Sequence, residues 1–205
     1  MSQFSSPECP DLGRSVSVPV LYVAFLRAIN VGGHVVKMAE LRRLFESVGL
    51  DEVETFIASG NVVFESTAKT DRAFEQKIEA HLKKGLGYHV DTFVRSLAEL
   101  RAIAEYQPFK ASEFDLDRSS LYVGFLATRP SPEAARKLNA LRTDTEAFHA
   151  HGREFYWISG VGFSQSAFTG ATLEKILRTP ATLRNINTIR RMVAKYGPGD
   201  KMAHE

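Results

Sequence analysis

The sequence predicts an α+β protein made of two tandem ferredoxin-like (βαββαβ) units, each with an appended helix. Its length of 205 residues, 44% of them apolar, is enough for two domains of about 100 residues each. The segment LYVAFL at 21–26 returns as LYVGFL at 121–126. Both copies are followed by strand and helix patterns in the same order. These observations together indicate an internal duplication.

The first unit covers residues 20–106. A strand is predicted at 21–26, followed by a helix with Met38, Leu41, Phe45 and Val48 on one face. Strands at 53–57 and 62–64 come next. A second helix, with Phe74, Ile78 and Leu82 on one face, precedes a strand at 90–95. Gly49 ends the first helix. Ser96 and Glu99 form a capping box that begins the appended helix, and Pro108 ends it.

The second unit covers residues 120–197. A strand is predicted at 121–126, followed by a helix with Ala135, Leu138 and Leu141 on one face and by strands at 147–148 and 155–158. A short helix with Leu173, Ile176 and Leu177 precedes a short strand at 181–184. The last helix contains Ile189, Met192, Val193 and Tyr196. Ser131 and Pro132 are a typical helix start, and Asn187 is expected to cap the last helix. A single doubly wound sheet is the alternative, but two adjacent hairpins argue against an all-parallel sheet.

Composition excludes several classes of protein. The single cysteine, Cys9, excludes an internal disulfide and a multi-cysteine metal cluster. No apolar run reaches the roughly 20 residues that cross a bilayer, and the formal net charge of +2 neither requires nor excludes a polyanionic partner. We expect flexible tails at 1–19 and 198–205, a linker at 107–119 and, without a secretory signal pattern, a cytoplasmic location. Nothing indicates the oligomeric state.

The loop after the first strand contains the sharpest local motif. Arg27, Asn30, the pair Gly32 and Gly33, and Lys37 lie between a strand and a helix start. Free backbone N–H groups in such a loop hold an anion, and the basic side chains add positive charge. The spacing matches neither a P-loop nor a dinucleotide fingerprint. A tight turn that needs glycine is the structural alternative, and on the local sequence alone it is favoured.

Two further polar motifs are candidates for the same site. Ser59, Gly60 and Asn61 suit a hairpin turn. Near the C-terminus, Arg184, Asn185 and Asn187 lie in a stretch, 175–199, with six basic residues and no acidic one. Arginine and asparagine offer planar donors for phosphate, carboxylate or a base edge, whereas the structural alternative is a solvated helix face with a capping asparagine.

Other chemistry has weaker support. His149 and His151 are a possible metal pair, but no third ligand is nearby in the sequence, so we predict no metal and no cofactor. No Ser–His–Asp order or nucleophile elbow supports hydrolysis. Four aromatic residues fit the core better than a stacking platform for single-stranded RNA: Phe148, Phe155, Tyr156 and Trp157.

Three segments resemble the opening of an uncharacterised bacterial family, "domain of unknown function 1697": RAINVGG at 27–33, KMAEL at 37–41 and SGNVVF at 59–64. TLRNINT at 182–188 resembles the family's closing motif, T-x-R-N-W-N-T, with Ile186 where the family has tryptophan. The resemblance extends from residue 20 to about 196. It implies a two-part α+β fold with ferredoxin-like halves, and it implies no activity.

Our leading hypothesis is a binding protein whose site lies where the two halves meet. The ligand is predicted to be a small anion, a nucleotide or nucleic acid. The candidate ligand-binding residues are Arg27, Asn30, Gly32, Gly33, Lys37, Ser59, Gly60, Asn61, Arg184, Asn185 and Asn187.

Two alternatives remain open. In the first, the protein is an enzyme that acts on a phosphorylated or nucleotide substrate with His34 as acid and base. In the second, the polar motifs are purely structural, and the side chains of Asn30, Asn61, Asn185 and Asn187 fix how the halves dock. We favour the binding protein over the enzyme.

Overall fold

The chain forms two four-stranded antiparallel sheets, each flanked by helices. The computed structural model describes residues 18–29, 35–57, 60–68, 70–162 and 165–197. Cys9 and most of both predicted tails lie outside these ranges. Within them, no helix has the length and apolar character needed to span a membrane. The predicted limits of the tails, the linker and the two units stay predictions.

The first half consists of seven elements in the order βαββαβ plus one helix. They are β1 (Val20–Leu26), α1 (Met38–Ser47), β2 (Asp51–Thr55), β3 (Asn61–Ser66), α2 (Arg72–Leu86), β4 (Thr92–Ser96) and α3 (Leu97–Glu105). The strand order in the sheet is β2-β3-β1-β4, so β1 is central and hydrogen-bonds to β3 and β4. In this register Tyr22 lies between Phe64 and Ser96.

The second half repeats this order. Its elements are β5 (Ser120–Leu126), α4 (Pro132–Asn139), β6 (Glu146–His151), β7 (Glu154–Ser159), α5 (Gly170–Leu177), β8 (Ala181–Asn185) and α6 (Ile186–Tyr196). The strand order is β6-β7-β5-β8, with β5 in the place of β1. The predicted α+β class with two ferredoxin-like units and appended helices is confirmed, and the very short predicted strand forms as β8.

Helix starts follow the local sequence with one exception. Ser96 and Glu99 form the predicted capping box of α3, and Ser131 caps α4 ahead of Pro132. The prediction that Asn187 caps α6 is wrong. Asn185 has the extended backbone of an N-cap and accepts the Asn187 N–H through Oδ1 at 2.9 Å. The two asparagines are two residues apart, and only the earlier one precedes the first helical turn.

Each half has an outer core between its sheet and two helices. In the first half, alternate strand residues such as Ala24 and Phe64 face α1 and α2, which contribute Leu41 and Ile78. In the second half, α4 and α5 cover the outer face through a cluster that contains Phe155, Trp157, Leu138 and Leu173. The period-two alternation of the strands sends the intervening residues to the opposite face.

The inner faces of the two sheets meet in one shared core. Phe25 of β1 stacks on Phe125 of β5, with ring centroids 4.0 Å apart and planes 10° apart. Apolar side chains of α3 and α6 complete this core, among them Leu100 and Met192. Because this core draws apolar side chains from both sheets, separating the halves exposes apolar surface from each of them.

The aromatic residues of β6 and β7 belong to the core. Phe148, Phe155, Tyr156 and Trp157 are at most 3% exposed. Both faces of each sheet are covered, the outer ones by helices and the inner ones by the shared core. The alternative in which these aromatic side chains form an exposed platform for single-stranded RNA is therefore wrong, since stacking on bases requires an accessible ring.

We predict that Gly124→Ala destabilises the protein. Gly124 occupies the β5 position that matches Ala24 of β1, and the Phe155 ring fills the space that a Cβ needs. We expect the free energy of unfolding in urea to fall by about 1–3 kcal/mol, the usual cost of overpacking. Gly170→Ala is the control, because no described atom lies within 4 Å of the position that its new Cβ takes. Equal stability of the two variants contradicts this account.

Candidate functional site

Arg184 of β8 reaches from the second half into the first. Its Nε donates to Asn61 Oδ1 at 2.6 Å. Its Nη2 donates to the carbonyl oxygens of Leu26 at 3.0 Å and Gly60 at 3.4 Å. Arg184 thus contacts the end of β1 and the turn before β3, two of the segments expected near it, whereas the convergence of all three motifs in one site stays a prediction.

The remaining donors of Arg184 bind its own strand. Nη1 donates to Thr182 Oγ1 and to the Leu183 carbonyl, both at 2.8 Å. All N–H directions of the guanidinium thus have a protein acceptor. The guanidinium lies over the Phe25 ring, 5.7 Å from its centroid. Burial lowers the pKa of Arg184 to about 10, so the group stays charged at neutral pH.

The Gly60–Asn61 pair is fixed by contacts in the first half. Asn61 is 1% exposed and donates through Nδ2 to the Phe56 carbonyl at 3.0 Å, while its Oδ1 accepts from Arg184. Gly60 has φ +72°, and a Cβ there overlaps the side chain of Ile29. Only glycine satisfies both conditions. Gly60 and Asn61 therefore form the surface on which Arg184 docks.

Arg27, the residue after β1, also joins the halves. It makes a bidentate pair with Glu174 of α5, Nε to Oε1 and Nη2 to Oε2, each at 2.8 Å. Its Nη1 donates to Asp91 at 3.2 Å, and Asp91 in turn contacts His89 at 3.0 Å. Two carboxylates share this one guanidinium, so the immediate surroundings of Arg27 do not favour an added anion.

Arg95 is the counterpart of Arg184 in the first half, and the sequence interpretation missed it. Its Nε donates to Glu154 Oε1 at 2.6 Å, and its Nη2 donates to the Leu126 carbonyl at 2.9 Å. It lies 5.6 Å from the Phe125 ring centroid, as Arg184 lies over Phe25. A signal was available, because in both halves an arginine precedes the residue that caps the last helix.

Arg95 lies in a buried network of charges. It is 1% exposed, and Glu75, equally buried, lies 3.6 Å from it. Glu75 also accepts the Val94 N–H at 2.8 Å and pairs with Arg72 at 3.2 Å. Burial raises the pKa of Glu75, and burial lowers the pKa of Arg95. Arg95 and Glu75 thus stabilise each other inside the fold, while the side chain of Arg72 reaches partly into solvent.

A cleft of about 500 Å³ lies beside the N-terminus of α6. We call it the α6 cleft, and its lining is Tyr106, Gln107, Pro108, Phe109, Leu116, Asp117, Ser119, Ser120, Leu121, Ile158, Asn185, Ile186, Asn187 and Arg190. One wall is the segment that follows α3, and the opposite wall is β5 and α6 of the second half. Asn185 and Asn187, two predicted site residues, therefore share a cleft with Arg190, which lies in the basic stretch.

The other predicted site residues that the structure describes do not line this cleft. Lys37 is exposed at the start of α1. Asn30, Gly32, Gly33 and Ser59 lie outside the described residues, and so does His34. Their assignment to ligand binding or catalysis stays a prediction.

Two residues beside these positions have an uncommon backbone conformation. Ala28 lies shortly before Asn30, and Ile57 lies shortly before Ser59. They have left-handed φ of 56° and 57°. Such backbone is costly for a β-branched residue and clusters at functional sites.

The histidine pair of β6 has no further metal-ligating side chains close to it in the described part of the chain. Among the described residues, no three His, Cys, Asp or Glu side chains are close enough to hold a metal ion. His149 instead contacts the Tyr106 hydroxyl through Nε2 at 2.9 Å.

The family model described as "Protein of unknown function (DUF1697)" matches residues 21–156. The chain belongs to this family. The match includes β1, both loop motifs of the first half and Arg95, and it ends in β7. The family inferred from the sequence is thus confirmed, whereas the closing motif at 182–188 lies beyond the matched residues and stays a prediction.

The chain is also similar to a solved structure, a conserved bacterial protein, SP0830, from Streptococcus pneumoniae. The two share 24% sequence identity with a TM-score of 0.64, and the alignment covers 87% of this chain and all of the other. This likeness supports the fold and carries no statement about function. No curated protein matches the chain.

We predict that Arg184→Ala is strongly destabilising. It leaves buried Asn61 Oδ1 and the Leu26 carbonyl without their donor. We expect a loss of about 3 kcal/mol in the free energy of unfolding by urea, since each orphaned acceptor costs about 1–3 kcal/mol. Arg136→Ala, an exposed change in α4, is the control and is expected to cost less than about 0.5 kcal/mol. A comparably small loss for Arg184→Ala argues against a docking role.

Proposed function

We propose that this protein binds a small anionic molecule with an apolar part, and that the ligand occupies the α6 cleft. The observation that supports this most is the composition of the cleft. Asn185, Asn187 and Arg190 line the same space as a group of apolar side chains, and residues that precede β5 complete it. A volume of about 500 Å³ lies in the usual range for small-molecule sites.

The α6 end of the cleft suits a negative charge. Helix α6 has no acidic residue in its first turn, so its dipole is not compensated there. The Asn187 side chain is exposed, and Arg190 follows one turn later on the same lining. Backbone N–H groups at a helix start together with a guanidinium are a common way to hold a phosphate or carboxylate.

The apolar part of the lining suits an apolar or planar group. Its side chains are Phe109, Leu121, Ile158 and Ile186. Asp117 is the acidic residue in the lining and lies on the linker, where it favours a hydroxyl or amino group on the ligand. A simple inorganic anion uses only part of such a site.

In our proposal Arg184 does not contact the ligand; it positions the helix that does. It directly precedes Asn185, the N-cap of α6, so its bonds to the first half fix where the helix begins. Arg27 and Asn61 hold the halves together in the same way. These contacts support the structural alternative for these three residues. Their predicted direct contact with ligand stays a prediction.

Nucleic acid has less support than a small ligand. The faces of both sheets are covered, and the lining of the α6 cleft combines one arginine with one aspartate. A nucleic-acid site requires several phosphate contacts along an accessible groove.

The test uses anilinonaphthalene sulfonate, a fluorescent anion with an apolar ring system. We expect the folded protein to bind one equivalent, and inorganic phosphate to compete weakly. Arg190→Gln is expected to weaken binding at least about tenfold, because a charge-assisted hydrogen bond is lost.

Arg191→Gln is the matched control for this measurement. It removes the same charge from the next residue of α6, whose guanidinium lies over Phe56, 5.9 Å from the ring centroid, and does not line the cleft. We expect its affinity to stay within about twofold of the unchanged protein. Equal weakening by both variants, or no saturable binding, contradicts the proposed site.

A further inference from the structure

Tyr106 lines a second cavity as well as the α6 cleft. This second cavity has a volume of about 430 Å³ and lies between α3 and the β6–β7 hairpin. Its lining includes Glu99, His151, Arg153 and Tyr156, and Tyr106 lines both spaces. A displacement of the Tyr106 ring therefore changes the wall of the α6 cleft.

Tyr106 is held by two histidines and a tyrosine of the second half. Its hydroxyl contacts His149 Nε2 at 2.9 Å. Its ring stacks on His151 with centroids 4.3 Å apart and planes 18° apart, and the Tyr156 ring is 5.0 Å away. We call these residues, Tyr106, His149, His151 and Tyr156, the tyrosine–histidine cluster.

The duplicated counterpart of this cluster has different chemistry. At the end of α6, the Tyr196 hydroxyl donates to Glu54 Oε2 at 2.8 Å, and Lys195 pairs with the same oxygen at 2.9 Å. In the two sheet registers, Glu54 faces Val63 as His149 faces Tyr156. Glutamate and lysine keep their charges between pH 5 and 8, whereas histidine changes its charge there. Of these two clusters, the one in the second half can therefore respond in that range.

The charged groups around the cluster do not neutralise a new positive charge on His149. On α3, Glu99 pairs with Arg153 at 3.2 Å. On β7, Glu154 is bound to Arg95 at 2.6 Å. Beyond the hairpin, Arg129 lines a cavity together with His151. The two carboxylates that line the second cavity, Glu99 and Glu154, are thus already paired.

Half-burial disfavours a charged His149. Burial lowers the pKa of His149, and the neighbouring His151 lowers it further. The folded protein therefore prefers neutral His149. The stability that this preference contributes is fully present above the pKa of the unfolded state, near 6.5. It is lost as the pH falls through that pKa toward the lower pKa of the folded state.

We propose that His149 makes ligand binding in the α6 cleft dependent on pH, because a charged imidazole at this position releases Tyr106 from the wall of the cleft. This inference rests on the proposed function. Once charged, His149 can only donate through Nε2 and is drawn from its half-buried position toward solvent. The Tyr106 hydroxyl then loses this partner, and the cleft loses one wall.

The first arm of the test needs no ligand. The urea midpoint of the unchanged protein is expected to fall by at least about 0.5 M between about pH 7.5 and pH 5.5. His149→Gln keeps a neutral acceptor for Tyr106 and is expected to lose less than half as much. His81→Gln, a change at a half-buried histidine of α2 whose contact with Ser47 is solvent-exposed, is the control and should behave like the unchanged protein. Equal pH dependence in all three proteins overturns the inference.

The second arm measures anilinonaphthalene sulfonate affinity over the same pH range, because its sulfonate stays ionised throughout. We expect the unchanged protein and His81→Gln to lose at least about fivefold in affinity at the lower pH, and His149→Gln to lose less than about twofold. A loss of the same size in His149→Gln overturns the coupling. Absence of binding at either pH contradicts the proposed function and with it the coupling, whereas the first arm still decides whether the cluster responds to pH.

Discussion

The contacts of Arg184 with the first half are the interaction on which the rest of the structure depends. One guanidinium connects the end of β1, the start of β3 and its own strand, and every one of its N–H groups has a protein acceptor. Arg95 makes the equivalent connection in the opposite direction. The two arginines enclose the stacked pair of Phe25 and Phe125, so polar and apolar contacts fix one relative position of the halves.

The α6 cleft follows from this position. Its walls belong to the segment after α3 and to α6. Helix α6 begins directly after Arg184 and Asn185, and Arg184 is bound to the first half. The duplication supplies two such helices, yet their ends have diverged. Tyr196 of α6 meets an ion pair, whereas Tyr106 beyond α3 meets two histidines. The two copies of the repeat thus share one rigid frame, and they differ in the side chains that surround the tyrosine at the end of the appended helix.

Strand and helix order could be predicted from the sequence, because the LYVAFL and LYVGFL strands and the apolar spacing after them are local patterns. The Asn185 cap and the acceptors of Arg184 could not, because they depend on which residue pairs meet after folding. Arg27 illustrates the limit: a basic residue in a glycine loop suggests an anion site, but Glu174, 147 positions away, already occupies its guanidinium. Arg190 was visible only as one of several basic residues, and the cleft that gives it a role is tertiary.

A double-mutant cycle between Arg184 and Asn61, measured by urea unfolding, tests the central claim most directly. The account predicts that Arg184→Ala and Asn61→Ala are coupled by more than about 1 kcal/mol, because each removes the partner of the same 2.6 Å hydrogen bond. Losses that add within about 0.3 kcal/mol would contradict it, since the two side chains would then act independently and the docking of the halves would need another cause.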